Sequence, residues 1–592
     1  MGIVAKLERK NHITGGAIIS RMLGAEGVTK AFGIIDGTYL ALNTSLADQG
    51  IELIGPRHEA CALHMAGAYA RMTRGLGVAI ASNGPGVANA LSGVAVEQTE
   101  GHRVLLITSC RRQGIVYPDR GGAFQAFDQV GVIGKMSKFS VAVPSVDRLP
   151  ELLRRALRIS FSGRPGVVHL DVPESVMNTK VEENASWFRE PSQYRMLEAL
   201  TPTTRQVQRA LDMLASAKRP ILHAGTGIMH AGAYAELKQV AELFHAPVTT
   251  SWGARAAMDE RHELSVAMPY VDAVQQARVE SDCVLVLGSR LGETDFWGKA
   301  PYWATPDQQQ LIQVDLELEQ LGNNRPVDLA VQADVKEFLR QLAAMARTRN
   351  TGTTDARRKW VKGLNAACDK RRKKLDKFLE QKSVPMHPAH VAHTCDQVFD
   401  DDAVMVVDGG NTSIWAHFFH QVRTPNTVLG TAKMGMLGAG IPQALAAKVA
   451  RPESQVVCVI GDGAMGFHPQ EIETAVRNGL NVIYIVLCDK QWGMVKMTQQ
   501  FALKPVKTLI KKTLSPEETT NTELNEIEFD RLARSMGAHG ERVADAAGLR
   551  GAIERSMASG KPAVIHVDVD RVAHLWAPNL RTFKEMHQEP KG

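Results

Sequence analysis

The chain has 592 residues, of which 44% are hydrophobic and 22% are charged, and its formal net charge is +6. These values exclude a disordered chain, the length is too great for one hydrophobic core, and the small charge gives no indication of nucleic-acid binding. Seven cysteines without CxxC spacing, no signal-peptide core and no run of about 18 apolar residues predict a cytoplasmic protein with reduced thiols and no membrane partner.

The first segment, residues 1–185, alternates short apolar runs with helical patterns. Its predicted strands are residues 31–35, 51–54, 77–81, 104–108 and 167–172. Apolar strands separated by helices predict a parallel sheet with crossover helices. A polar stretch at residues 181–200 is predicted to be a linker.

A second segment, residues 200–345, repeats this pattern. Its predicted strands are residues 220–224, 283–287 and 311–315. The following residues, 346–385, are dense in charge. We expect a solvated helical connector there rather than a basic ligand patch.

The third segment, residues 386–571, has predicted strands at 404–407, 456–460 and 482–487. A helix is predicted between the last two strands, at residues 469–478, where Gly479 ends it. The tail, residues 572–592, has no strong period and is predicted to be a covering segment. The fold class is therefore α/β, with three parallel sheets.

Two carboxylates follow neighbouring predicted strands of the third segment. Gly461-Asp462-Gly463 ends one strand, and Cys488-Asp489 ends the next. In a strand–helix–strand unit both carboxylates lie at the carboxyl ends of the strands, where open α/β sheets bind ligands. Carboxylates beside glycines suit a hard divalent cation that holds a diphosphate.

This pattern resembles the diphosphate–Mg²⁺ motif of thiamine diphosphate (ThDP) enzymes. The resemblance implies that Asp462, Asp489 and the backbone carbonyl of Gln491 are the Mg²⁺ ligands. The family has paired asparagines where this chain has Cys488-Asp489. The aspartate in place of an asparagine adds a negative charge beside an anionic cofactor.

A second motif lies near the amino terminus, where Glu59 follows a predicted strand and begins an Ala/Gly-rich helix. An acidic residue in a first helical turn is also common for electrostatic reasons alone. However, the stretch from Pro56 to Arg71 is similar to one in the ThDP branch that contains acetolactate synthase, benzaldehyde lyase and 2-hydroxyacyl-CoA lyase. In that branch the glutamate contacts N1′ of the aminopyrimidine, which implies a catalytic role for Glu59.

The same resemblance assigns further residues. Gln125 is a catalytic candidate that would donate to the substrate's reacting oxygen, and the alternative of a polar loop residue stays open. Leu437 would lie under the thiazolium ring. The cofactor-binding set is Glu59, Gly84, Pro85, Asn411, Gly435, Leu437, Gly461, Asp462, Gly463, Ala464, Trp492 and Gly493. The substrate-pocket set is Thr38, Tyr39, Phe124, Phe127 and Met494, of which Met494 equally suits core packing.

The resemblance also implies an architecture of three doubly wound parallel-sheet domains of the ThDP decarboxylase type. Residues 1–185 would be the pyrimidine-binding domain, 200–345 the middle domain and 386–571 the diphosphate-binding domain. The implied cofactors are ThDP and Mg²⁺, and ADP, CoA, FAD or nothing in the middle domain. Family sites lie between the first segment of one subunit and the third of another, which implies a homodimer or homotetramer.

The implied reaction is carbon–carbon bond cleavage or ligation on a small-molecule substrate. We favour a 2-hydroxyacyl-CoA lyase that releases formyl-CoA and a ketone or aldehyde, because the stretch from Gly288 to Trp297 resembles that branch. A basic tail would suit such an anionic substrate; its basic residues are Arg571, Arg581, Lys584 and Lys591. The alternative is acetolactate-synthase-like condensation or decarboxylation of 2-oxo acids. A non-catalytic subunit that binds ThDP or nucleotide is the alternative from another class.

Overall fold

A computed structural model of the chain describes residues 11–349, 351, 354–580 and 585. It consists of two compact units, Met1–Glu198 and Ala199–Gly592. The predicted basic residues Arg581, Lys584 and Lys591 lie outside the described residues. Among the described helices, none combines the length and hydrophobicity that a membrane-spanning segment needs.

The first unit contains one parallel sheet and a short antiparallel ribbon. Its strands are β1 His12–Thr14, β2 Lys30–Gly33, β3 Glu52–Ile54, β4 Gly77–Ala81, β5 Val104–Cys110, β6 Phe139–Ala142, β7 Val167–Pro173 and β8 Lys180–Glu182. Its helices are α1 Gly15–Ala25, α2 Leu40–Leu46, α3 Glu59–Thr73, α4 Pro85–Glu100, α5 Gln129–Gly134, α6 Leu149–Phe161 and α7 Glu174–Asn178. The sheet has the order β3-β2-β4-β5-β7-β6, and β1 pairs with β8.

The second unit begins with a five-stranded parallel sheet. Its strands are β9 Pro220–Ala224, β10 Val248–Thr250, β11 Cys283–Leu287, β12 Gln310–Asp315 and β13 Leu329–Gln332. Its helices are α8 Thr204–Ser216, α9 Thr226–Ala231, α10 Tyr234–Phe244, α11 Val271–Glu280 and α12 Val335–Ala346. The strand order is β10-β9-β11-β12-β13, and separate apolar clusters pack on the two faces.

A third parallel sheet, of six strands, follows in the same unit. The elements up to its second strand are α13 Asp355–Asp376, α14 Ala389–Val398, β14 Val404–Asp408, α15 Gly410–Phe419 and β15 Val428–Leu429. The next are α16 Gly440–Ala450, β16 Val456–Gly461, α17 Asp462–Met465, α18 Glu471–Arg477, β17 Ile483–Cys488, α19 Gly493–Leu503 and α20 Pro505–Lys511. The last are α21 Phe529–Ser535, β18 His539–Val543, α22 Ala546–Ala558, β19 Ala563–Asp568 and α23 Arg571–Leu575. The strand order is β15-β14-β16-β17-β19-β18.

All three sheets are connected in the same way. In each sheet, the strand that comes first in the chain among three neighbours lies in the middle. The next strand pairs with it on one side, and a later strand pairs with it on the other side, which gives the local orders β3-β2-β4, β10-β9-β11 and β15-β14-β16. The predicted fold class is therefore confirmed. Ligands of doubly wound sheets bind at the carboxyl ends of strands where the winding direction reverses. In the third sheet this point lies between β14 and β16, directly beside Gly461-Asp462-Gly463.

Every strand predicted from an apolar run is present, with limits that differ by at most a few residues. The charge-dense connector contains α13, as predicted, and this helix buries one side through Val361 and Leu364. In the tail, α23 is packed, because Leu575 is fully buried. The limits of the three predicted domains stay a prediction.

A buried ion pair joins the second and third sheets. Arg255, which follows β10, bonds Glu260 through two hydrogen bonds of 2.8 and 3.0 Å. Its other donors reach the backbone oxygens of His417 and His420, each at 2.5 Å. Both charged side chains are almost fully buried. Removing one partner of such a pair leaves an uncompensated buried charge.

We therefore predict that Arg255→Ala lowers the free energy of unfolding by about 3–5 kcal/mol, because Glu260 stays buried without its partner. The matched control is Arg261→Ala, since Arg261 pairs with Asp259 and Asp401 while it is half exposed. The control should cost less than about 1 kcal/mol. Urea denaturation measures both, and equal losses would contradict the prediction.

Candidate functional site

The two predicted metal-binding carboxylates lie where the sequence placed them. Asp462 is the first residue of α17, and its two oxygens accept from the backbone N–H groups of Gly463 and Lys490, each at 2.7 Å. Asp489 follows β17 and is 1% exposed. Burial, and then the charge of Asp489, raise the pKa of Asp462 to about 6. A bound cation would favour the ionised form of Asp462 and offset the effect of the neighbouring carboxylate.

A buried amide without partners lies beside these carboxylates. Asn411, at the start of α15, is 3% exposed, and neither its Nδ2 nor its Oδ1 has a hydrogen-bond partner among the described residues. A Cβ on Gly493 would lie 2.7 Å from Asn411 Nδ2, so a larger residue there would displace the amide. Since an unpaired buried amide costs about 1–3 kcal/mol, Asn411 is suited to hold a ligand.

Asp408 ties together the two loops around this amide. It ends β14, and its Oδ2 accepts from Gly440 N at 2.7 Å. Burial raises the pKa of Asp408 to about 7, while bonds from the N–H groups of Gly440, Gly409 and Gly438 oppose that rise. The loop before Gly440 carries Leu437, which is half buried. Asp408 thus fixes the backbone from which Asn411 and Leu437 project.

We name the cradle as the set of Asn411, Asp462, Asp489, Gln491 and Gly493. Trp492 packs its ring over Gly463, where a Cβ would lie 2.7 Å from a ring carbon. Ala464 is buried behind the turn, and Met494 packs against Gly410 and the core of the third sheet. The carboxylates, the unpaired amide and the close glycine fit a cation and a diphosphate.

In the first unit, Glu59 is the first residue of α3, and its Oε2 accepts from Asn89 Nδ2 at 3.0 Å. A Cβ on Gly86 would lie 3.2 Å from Glu59 Oε1. The half-buried carboxylate is therefore held by α4, which begins at Pro85 of the glycine-rich turn. The structure brings Glu59, Gly84 and Pro85 together.

Gln125 lies against the same turn. Its backbone φ is 53°, its carbonyl accepts from Asn83 Nδ2 at 3.0 Å, and a Cβ on Gly84 would lie 2.7 Å from that carbonyl oxygen. Gly84 N in turn donates to Gln129 Oε1 at 2.8 Å. A left-handed backbone at a residue other than glycine is uncommon, and here it accompanies the close packing of the Gln125 carbonyl on Gly84.

The predicted pocket residues of the first unit divide into two groups. Phe124 is 74% exposed, and Phe127 is half buried. Thr38 donates from its hydroxyl to Ser109 Oγ at 2.6 Å. Tyr39, in contrast, packs in the core, where its hydroxyl bonds the carbonyl of Ile34. The Tyr39 side chain is therefore not at the surface with the others.

Two residues outside the predicted cofactor, metal and substrate sets also hold the site. Asp408 stands at a strand end before Gly409-Gly410, and that position could have indicated a loop anchor. His574 on α23 donates from Nδ1 to Asp489 Oδ2 at 2.6 Å. Burial lowers its pKa, but Asp489 more than offsets this, so the pKa is raised overall. No periodicity in the tail indicated this contact.

Another group of possible metal ligands lies outside the cradle. One ligand atom from each of Glu526, His566 and Asp568 falls within 4.8 Å of the others. Arg542 already bonds both carboxylates, at 2.5 and 2.7 Å, and Lys490 also pairs with Glu526. Because these cations neutralise the carboxylates, we assign no metal to this group.

Three models of one protein family match the chain in order. The thiamine pyrophosphate enzyme N-terminal TPP binding domain matches residues 13–132, the central domain matches 207–342, and the C-terminal TPP binding domain matches 408–567. The chain belongs to the thiamine pyrophosphate enzyme family. Each matched range falls within one predicted segment, and the cradle lies within the C-terminal match. Thiamine pyrophosphate is ThDP.

Curated relatives of this thiamine pyrophosphate enzyme match over nearly its whole length. A probable acetolactate synthase large subunit of Methanococcus aeolicus is 26% identical over 94% of this chain and 92% of its own. Acetolactate synthase of Mycobacterium bovis is 29% identical over 95% and 89%. Acetolactate synthase large subunit of Haemophilus influenzae is 27% identical over 96% of each.

We predict that cation binding to the cradle weakens on acidification, because a proton on Asp462 competes with the cation. With a pKa of about 6, the ionised fraction of Asp462 falls about fourfold between pH 7.5 and 5.5, and the affinity should fall with it. Mn²⁺ alone is the probe, since phosphate groups titrate in the same range.

Calorimetry at the two pH values measures this affinity. The control is Asp462→Asn, which should bind Mn²⁺ more weakly and with a flatter pH dependence. Mn²⁺ affinity of the unmodified chain that stays constant or rises on acidification would contradict the prediction.

Proposed function

We propose that the chain is a ThDP-dependent carboligase that condenses 2-oxo acids, and that it forms acetolactate, the product in the names of its relatives. The observation that carries the proposal is the cradle, in which two opposed carboxylates lie beside the unpaired amide of Asn411. The full-length similarity to acetolactate synthases supports the choice of reaction. It favours this alternative over the 2-hydroxyacyl-CoA lyase that the sequence first suggested.

The cradle residues would bind one end of the cofactor. Asp462, Asp489 and the Gln491 carbonyl would hold Mg²⁺, and the Asn411 amide would donate to the diphosphate. Bound ThDP would supply the carbon nucleophile and the electron sink of the reaction. Leu437 would support the ring system from below, and Gly435 would offer its carbonyl to the amino group.

The residues of the first unit would act at the other end. The Glu59 carboxyl would hold a proton at N1′ of the pyrimidine, with Asn89 fixing its rotamer. Gln125 would donate to the carbonyl oxygen of the substrate, because its backbone lies against the glycine-rich turn and its side chain is exposed there. Phe124 and Phe127 would exclude water from the reacting carbon.

Product analysis separates the candidate reactions. With ThDP, Mg²⁺ and pyruvate, the proposal predicts acetolactate and CO₂. Formyl-CoA release from 2-hydroxyacyl-CoA, without acetolactate from pyruvate, would overturn it in favour of the lyase. ThDP binding without turnover of either substrate would favour the non-catalytic subunit. A nucleotide in the middle segment, whether ADP, CoA or FAD, stays a prediction.

We predict that Glu59→Gln lowers turnover by about 100-fold or more, because an amide cannot take up the proton that Glu59 would hold. The matched control is Glu52→Gln on β3, whose side chain is mostly exposed and pairs with Lys30. Steady-state kinetics measures the loss, and circular dichroism checks that the fold is retained. Turnover of Glu59→Gln close to that of the control would remove Glu59 from the mechanism.

We also propose that the active form is a homodimer or homotetramer, with Glu59 and Asp462 of one site contributed by different subunits. Large apolar side chains of each unit are exposed and suit burial against a second copy. They include Ile35 and Phe124 in the first unit and Val506 and Ile510 in the second.

This proposal predicts that activity per chain falls when the protein is diluted far enough to dissociate. Analytical ultracentrifugation gives the oligomeric state, and assays at the same concentrations give the activity. A monomer that keeps full activity at nanomolar concentration would contradict the proposal.

A further inference from the structure

Helix α23 contacts the cradle. α23 begins at Arg571, beyond residue 567, where the C-terminal family match ends. Its His574 is 4% exposed and uses both ring nitrogens. Nδ1 lies 2.6 Å from Asp489 Oδ2, and Nε2 lies 3.1 Å from Thr412 Oγ1. Thr412 follows Asn411 on α15, so the His574 ring connects the start of α15 to Asp489 at the end of β17.

Further hydrogen bonds fix α23 to the same two parts of the chain. Arg571 donates from Nε to the backbone oxygen of Asp489 at 2.8 Å, and its own carbonyl accepts from Gln491 Nε2 at 3.0 Å. Trp415 Nε1, on α15, donates to the carbonyl of His574 at 3.0 Å. The His574 ring is therefore held from both sides and has little freedom to move away.

The donors around Asp489 bond one of its two oxygens. His574 Nδ1 and Gln491 Nε2 both bond Oδ2, at 2.6 and 3.0 Å. This pairing leaves the lone pairs of Oδ1 for a cation. A neutral imidazole satisfies the geometry, since Nδ1–H donates to Asp489 while Nε2 accepts from the Thr412 hydroxyl. The arrangement does not require a charged histidine.

An asparagine at position 489, as in the family motif, would not fit these donors. If its amide nitrogen took the place of Oδ2, His574 would have to move its ring proton to Nε2, and the Gln491 amide would have to turn and lose its bond to the Arg571 carbonyl. If it took the place of Oδ1, it would face the cation. One orientation therefore costs a hydrogen bond of the present arrangement, and the other points an N–H donor at the cation. The carboxylate of Asp489 is the side chain that suits this histidine.

We propose that His574 and Asp489 are a matched pair, in which the His574 ring fixes the carboxylate that replaces the family's asparagine so that Oδ1 faces the cation. His574 is thus a positioning residue, and α23 sets the geometry of the cation site. The inference rests on the proposed function, because the cation is the one that the cradle would hold for the diphosphate. Ligand-orienting partners of this kind typically change metal affinity by about 10–100-fold.

Variants at His574 separate positioning from packing. His574→Leu removes both ring donors, so ThDP affinity in the presence of Mg²⁺ should fall by about 10–100-fold. His574→Asn keeps an N–H at the position of Nδ1, so its affinity should stay within about threefold of the unmodified chain. Calorimetry measures binding, and the melting temperature without cofactor shows whether each variant folds. Equal losses in the two variants would mean that the ring only packs, and would overturn the pair.

A double-variant cycle tests the matching itself. Asp489→Asn should weaken binding by about 10–100-fold although asparagine is the usual residue of the family. In the Asp489→Asn variant, the additional change His574→Leu should cause little further loss of affinity. The hydrogen bond from His574 to the Asp489 carboxylate is already lost in that variant. Losses that simply add, or an Asp489→Asn variant that binds normally, would contradict the proposal. The matched control is His539→Leu on β18, where His539 bonds Glu541 outside the cradle.

These binding measurements also separate a failure of the His574–Asp489 pair from a failure of the proposed function. If the unmodified chain binds no ThDP with Mg²⁺, the proposed function fails and the pair falls with it. If the unmodified chain binds ThDP and the variants bind it equally well, the pair alone is overturned. Electron paramagnetic resonance of bound Mn²⁺ adds a readout of coordination geometry, which should differ between His574→Leu and His574→Asn.

Discussion

The structure of the site depends on the electrostatic effect of the buried Asp489 carboxylate on the half-buried Asp462 beside it. Asp462 and Asp489 follow adjacent strands, so the sheet that makes the fold also forces them together. Backbone N–H groups of Gly463 and Lys490 stabilise one of them, and His574 stabilises the other. These bonds leave the pKa of Asp462 raised to about 6, so the opposition is only partly relieved. A divalent cation bound between Asp462 and Asp489 would therefore stabilise these carboxylates.

The residues around the carboxylates also include polar groups without hydrogen-bond partners among the described residues. Asn411 is buried with both polar atoms unpaired, although buried amides are otherwise almost always bonded. Asp408 fixes the loops on either side of it, so the amide cannot easily turn to another partner. In the first unit, the backbone of Gln125 is held in a left-handed conformation against Gly84. The unpaired Asn411 amide is the stronger of these two indications, because a bound ligand would supply its missing hydrogen bonds.

Much of this could be predicted from the sequence, because the strands are apolar on both faces and end in glycine or acidic residues. Asp462 and Asp489 were placed correctly since parallel strands align their carboxyl ends. Strands that are half exposed, such as β6 and β18, give no such run and were missed. The contact of His574 with Asp489 joins residues 85 positions apart and depends on how α23 packs, which local pattern does not encode.

The preference for a CoA substrate shows how a sequence motif can reflect packing. It rested on the stretch from Gly288 to Trp297, yet Asp295 in that stretch is buried and bonds Arg278 at 3.0 Å. Gly288 packs directly on Gly227 of the neighbouring loop. These contacts explain the residues by the stability of the middle sheet, so the stretch carries little information about the substrate.

The most direct test of the account is the anomalous scattering of Mn²⁺ in crystals of the chain grown with ThDP and Mn²⁺. The account predicts one strong peak per chain at coordination distance, about 2 Å, from Asp462 and from Oδ1 of Asp489, with the diphosphate completing the shell. A diphosphate bound elsewhere, or a peak that contacts neither carboxylate, would contradict the claim that this cradle holds the cofactor.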